Sequence, residues 1–176
     1  MQAEQAPDTQ PSVSLLEKTP FLFETLLRDL PANLLLWKPA AERWSISEVL
    51  AHLVEIEDLY SSRVRRMLAE NAPQFLRYVQ PAADSPNAGS QSSTAEILAR
   101  FTTMRRDSLA ILKSMPAASG PRTGQHSELG SITLAQMLCE WASHDLGHLR
   151  QIAELYRARA FYPHAGPFQK YSNPKP

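Results

Sequence analysis

The stretch Trp141-Ala142-Ser143-His144-Asp145-Leu146-Gly147-His148 sets two imidazoles four residues apart inside a strongly helical pattern. At 3.6 residues per turn, such positions lie about 40° apart on one face, one turn above the other. Neutral imidazole is the commonest ligand of divalent metals, so a pair stacked in this way is half of a metal site. A third imidazole, His52, comes from a distant helical segment, Ala51-His52-Leu53-Val54-Glu55. Three histidines without a fourth protein ligand nearby describe an open site. Structural zinc is usually closed by four ligands, whereas catalytic zinc keeps a position for water or substrate. A divalent ion held there could make a nucleophile of water near neutral pH, or activate a thiolate. Imidazole suits Zn, Ni and Fe alike, so the ligands do not identify the metal.

Met137, Trp141, His144, His148, Gln151 and Leu155 fall on one helical face, which turns both histidines toward a core. Polar rings in an apolar stripe cost free energy unless each nitrogen finds a partner. A metal is one such partner, and other core side chains are the alternative. Glu55 lies one turn after His52, Asp145 one turn before His148, and Gln151 one turn after it. A ligating histidine normally gives its other N–H to a neighbour of this kind, which fixes its tautomer. Glu55 or Asp145 could instead complete the coordination or act as a general base; pairing with arginines or water is their plainer role. Trp141, Gln151 and His126, the last in the loop before the final helix, are candidate pocket residues. His164 has no assigned role. Gly147 either admits a close approach or is a tolerated surface glycine. Cys139 reads as a small packed hydrophobe.

Known two-histidine motifs do not fit. His144-Asp145-x-x-His148 has Asp where zinc proteases carry their Glu base. The further His and Asp residues of metal phosphohydrolases are not evident, and Glu140 is spaced wrongly for a di-iron Glu-x-x-His motif.

The elements that must position these residues are helical. A first segment runs from about Val13 to Leu30, and Thr19-Pro20 inside it suggests a kink or restart with Thr19 as N-cap. Capping boxes open the others at Ser45–Glu48, Ser93–Glu96 and Thr133–Gln136. No convincing period-two alternation occurs, so no sheet is expected. The expected fold is all-α: a four-helix bundle over residues 12–160, with a long crossover between helices 2 and 3. That crossover spans roughly Asn71 to Ser92, and Phe75 and Tyr78 are expected to pin it to the bundle. Residues 1–11 are expected to be flexible, and 161–176, with four prolines, to form an irregular tail.

Composition narrows the function. The chain has 176 residues with 18 basic and 18 acidic side chains, a balance that argues against a general role on nucleic acid. The single cysteine excludes an internal disulfide framework and suits a reducing cytoplasm. No stretch approaches the roughly 20 apolar residues that span a bilayer. Met1 to Pro7 lacks the pattern of a signal peptide, so a soluble cytoplasmic protein without membrane partners is expected.

Taken together, Trp44-Ser45-x-x-Glu48-Val49-Leu50-x-His52-Leu53, Gly130-x-Ile132-Thr133-Leu134 and His144-Asp145-x-x-His148-Leu149-x-Gln151-Ile152 resemble the DinB-like (DinB/YfiT) metalloenzyme superfamily. The resemblance covers roughly residues 12–160. It implies a four-helix bundle with a long crossover, often a homodimer, that binds a divalent metal through His52, His144 and His148. Relatives in that family include thiol-dependent S-transferases using bacillithiol and a mycothiol-dependent maleylpyruvate isomerase. The expectation is therefore a metal-dependent thiol transferase or hydrolase acting on a small molecule, with a low-molecular-weight thiol as a candidate partner. The alternative is a non-catalytic metal-binding or small-molecule-binding stress-response module.

Overall fold

The computed structural model describes residues 8–79 and 92–176. Its helices are α1 (Gln10–Leu27), the single turn α2 (Ala32–Leu35), α3 (Ile46–Ala69), α4 (Thr94–Ser114) and α5 (Leu134–Tyr156). The capping boxes form as the residue types dictate. Ser45 accepts from Glu48 N at 3.2 Å while Glu48 accepts from Ser45 N at 2.8 Å, and α4 and α5 start in the same way.

α1 departs from expectation. It runs unbroken through Pro20, and Thr19 does not cap it. Pro20 has no N–H to give the Leu16 carbonyl. That carbonyl instead accepts from Arg105 Nη1 at 3.0 Å and from Thr19 Oγ1 at 3.3 Å. A side chain from another helix thus fills the gap in the ladder, and no restart is needed.

Contacts along the bundle set the helix directions. Ser12 meets Cys139 and Thr19 meets Asp145, so α1 and α5 run parallel. Ser47 meets Thr94 and Glu57 meets Arg105, so α3 and α4 also run parallel. Tyr60 stacks on Trp141 while His52 meets His148, so α3 and α5 are antiparallel. Parallel neighbours cannot be joined by a short turn. The chain must recover the length of α3, 24 residues or about 36 Å at 1.5 Å per residue, before α4 begins. This is the physical reason for the long crossover. Its prolines Pro81 and Pro86 lie outside the described residues, but its first part is fixed: Phe75 is 5% exposed, and Tyr78 bonds Glu55.

A small sheet is present, contrary to expectation. β1 (Gln74–Phe75) pairs parallel with β2 (Thr123–His126), which pairs antiparallel with β3 (Gly130–Thr133). Strands of two to four residues are too short to show a period-two pattern. The Phe75 ring lies so close to Gly124 that a Cβ there would meet Phe75 Cε2 at 2.3 Å. Glycine at 124 is thus what lets the crossover dock.

The apolar core is in two parts. One gathers Leu16, Tyr60, Val64, Leu138 and Trp141, and the other Phe23, Leu50, Leu53, Phe101 and Ile152. Between them lies a polar layer with one residue from each long helix. Arg105, 1% exposed, meets Glu57 at 2.7 Å, Asp145 at 2.7 Å and Thr19 at 2.7 Å. Its guanidinium also lies over the Phe101 and Trp141 rings.

Beyond Tyr156 the chain continues in short turns through Lys170 and returns along α5. Lys175 N donates to Glu154 at 3.0 Å, and Arg43 donates to the Pro176 carbonyl. Among the described residues, no helix is long and apolar enough to cross a membrane.

Candidate metal centre

His52 sits two turns into α3, and His144 and His148 stand one turn apart on α5. The structure brings the three rings together. His52 Nε2 and His148 Nε2 each lie 3.2 Å from His144 Nε2, and one ligand atom from each residue falls within 4.8 Å of the others. Tetrahedral sites with Zn–N bonds of 2.0–2.1 Å place neighbouring nitrogens about 3.3 Å apart. The donor spacing fits a divalent ion.

Hydrogen bonds at the back of the rings decide which nitrogens face inward. His148 Nδ1–H donates to Gln151 Oε1 at 2.8 Å, leaving a lone pair on Nε2. Tyr78 Oη donates to Glu55 Oε2 at 2.7 Å, so its oxygen accepts from His52 Nδ1, 3.5 Å away. His52 Nε2 is then also a lone pair. A proton on His144 Nε2 could satisfy only one of two such neighbours. At least one short contact would be lone pair against lone pair without a cation. His144 Nδ1 is buried with no partner among the described residues, so no hydrogen bond seen there opposes an inward lone pair on this ring.

The electrostatics agree. Burial, reinforced by the charges of His148 and His144, lowers the His52 pKa to about 3. Burial and His148 lower that of His144 to about 4. Burial also lowers that of His148, against the pull of Gln151 and Asp145. All three rings remain neutral at physiological pH, the form a metal requires.

The other expected site residues fall out differently. Glu55 accepts a hydrogen bond from Tyr78, whose hydroxyl lies 3.5 Å from His52 Nδ1. Gln151 Oε1 lies 2.8 Å from His148 Nδ1. Asp145, expected beside the histidines, turns away from the imidazole cluster: 1% exposed, it bonds Arg105 and Thr19. Adjacent residues on a helix point about 100° apart, so only one of His144 and Asp145 can face the imidazole cluster. Trp141 is not a pocket residue; it is 1% exposed and forms the floor, stacked at 5.3 Å on Tyr60. His126 caps the β2–β3 turn by accepting from Glu128 N at 3.2 Å, and its ring lines a cleft without joining the cluster. Cys139, expected to be packed, is exposed. At Gly147 a Cβ would meet nothing within 4 Å.

Sequence reasoning missed Trp44, Tyr60 and Arg105 as site or supporting residues. Trp44 packs over His52 and His148, with ring centroids 4.9 Å and 6.4 Å away. Tyr60 walls the cluster beside His144, and burial, then Glu140, raises its pKa to about 12. Arg105 shares the buried face of α4 with Phe101, Ser108 and Leu112, spaced three and four residues apart, the signal that could have found it. Two clefts reach the cluster and meet at His144 and Glu140: one of about 740 Å³ beside the C-terminal residues, the other of about 610 Å³ between α3, the crossover and the sheet.

Fold and site together define a class, four-helix bundles carrying an open three-histidine centre. The sequence profile of the DinB superfamily matches residues 15–152, and the chain belongs to that superfamily. Among solved structures the chain is similar to YfiT from Bacillus subtilis, with a TM-score of 0.78 and 19% identity, over 90% of this chain and 91% of that one. That protein is described as "a probable metal-dependent hydrolase with an unusual four-helix bundle topology". At that identity the likeness establishes the shared fold. No curated protein matches this chain.

Proposed function

We propose that this protein is a divalent-metal-dependent enzyme whose ion is held by His52, His144 and His148 and whose reaction is a hydrolysis or a thiol transfer. The observation that carries this reading is the convergence of three imidazoles, one ligand nitrogen of each within 4.8 Å of the others, with the Nε2 atoms of His52 and His148 each 3.2 Å from that of His144. A bound ion would supply Lewis acidity, activating a water or thiol at neutral pH. The protein's own groups do the rest. Gln151 and the Tyr78–Glu55 pair orient the rings, and Trp44, Tyr60 and Trp141 exclude water from one side. Two clefts leave the other side open to a small molecule. Glu140, at their junction, is the carboxylate placed to move a proton there. The description of YfiT favours the hydrolytic reaction, and the thiol-dependent relatives favour transfer.

A second reading has an observation of its own. The ligands come from adjacent antiparallel helices, so an ion would cross-link α3 to α5 and could serve stability alone, in a non-catalytic metal-binding or stress-response module. Elemental analysis of natively purified protein is the first test. One divalent ion per chain is expected, and none in His148→Ala. Full retention of metal by that variant refutes the site. Chelation then separates the readings. Loss of turnover with an intact fold, in a screen of esters and of thiols with electrophiles, supports the enzyme; unfolding without any turnover supports the module.

A further inference from the structure

We propose that the cleft between α3 and the crossover selects a small carboxylate with an apolar body, its acid group held by Arg63 and its other end delivered to the three-histidine centre. This inference rests on the metal reading above and names the substrate class of the same site. The cleft has His52 and His144 at one end and Arg63 at the other, with Ile56, Leu59 and Met137 along its wall. Its volume of about 610 Å³ is ordinary for a small-molecule site. Arg63 lies eleven residues after His52 on α3, about 16 Å along the axis. That separation leaves room for a chain of several carbons between the guanidinium and the histidines.

The state of Arg63 is what points to an anion. Its Nη2 donates to the Leu76 carbonyl at 2.6 Å, and its guanidinium sits 5.4 Å from the centroid of the Phe75 ring. These contacts hold it still without neutralising it. Other arginines of the region have carboxylates: Arg66 has Glu70, Arg77 has Glu128, and Arg105 has Glu57 and Asp145. Arg63 has none among the described residues. A half-buried cation, held still and without a carboxylate partner among the described residues, in a cleft with an aliphatic wall, is a receptor for a carboxylate. The acid group takes the fixed guanidinium of Arg63, and the reacting end of the ligand is left to the three-histidine end of the cleft.

The test uses Co2+-loaded protein, whose absorption reports thiol binding at the ion, titrated with 6-sulfanylhexanoate and with 6-sulfanylhexanol. The acid should bind at least about tenfold more tightly than the alcohol, the worth of one charge-assisted hydrogen bond. Arg63→Gln should abolish that preference while Arg63→Lys keeps most of it, with Co2+ stoichiometry unchanged in both. Equal binding of acid and alcohol by the wild type, a preference that survives Arg63→Gln, or no spectral response to either thiol overturns the inference. The wild-type comparison decides alone if the variant does not fold. A wild type that takes up no Co2+ overturns the metal reading beneath it; one that takes up Co2+ without preferring the acid overturns only this inference.

Discussion

Replacing Gln151 with Leu tests whether the tautomer of His148 is set from behind. The Gln151 Oε1 to His148 Nδ1 bond is 2.8 Å, the shorter of the two that hold ligand rings. Leucine nearly matches the volume of glutamine but accepts no proton. Without the acceptor, His148 is free to carry its proton on Nε2, where it faces His144 and opposes an ion. Loss of such a partner typically costs about 10–100-fold in metal affinity, or about 1.4–2.7 kcal/mol. His148 is only half-buried and lines the larger cleft, so water replaces part of the loss, which places the expectation near tenfold. Gln151→Glu runs the other way: a carboxylate accepts the same proton more strongly, so affinity should equal or exceed that of the wild type. The assay is competition for Zn2+ against a chromophoric chelator at neutral pH, with melting of the metal-free proteins as a control for folding. If Gln151→Leu binds Zn2+ as tightly as the wild type while folding normally, the argument that this bond orients the ligand is wrong.

Further expectations concern the layers around the site. Arg105→Met leaves Glu57 and Asp145 buried without their cation and should cost about 3–5 kcal/mol in urea unfolding; a loss under about 1 kcal/mol would show that the layer is not energetically coupled. Gly124→Val drives a side chain into the Phe75 ring, so it should release the crossover near Tyr78 and expose β1 to proteolysis, and unchanged proteolysis would refute that packing. Metal-free protein should lose stability as pH falls. The His52 pKa is about 3 and that of His144 about 4 when folded, against 6.5 when exposed, so below about pH 6.5 the unfolded chain takes up protons that the folded chain refuses. The urea midpoint should therefore drop between pH 7.5 and 5, and drop less in His52→Gln; equal midpoints at both pH values would contradict this assignment.

The sequence by itself determined the helices and named the imidazoles, because both signals are local. Capping boxes at Ser45, Ser93 and Thr133 pair residues three apart, and the face shared by Trp141, His144 and His148 follows from helical pitch alone. The family was legible for the same reason. Four things needed the tertiary structure. The two-residue strand Gln74–Phe75 exists only because β2 lies beside it and Gly124 gives its ring room. Pro20 leaves α1 unbroken because Arg105, 85 residues away, takes the carbonyl that proline cannot use. Asp145 turned from the histidines to the central arginine because neighbouring helical positions diverge while four helices converge on one buried charge. Whether His52 meets the pair on α5 depended on α3 lying beside α5 in the antiparallel sense. That pairing comes from packing apolar faces around a polar layer, a relation between segments that no single segment contains.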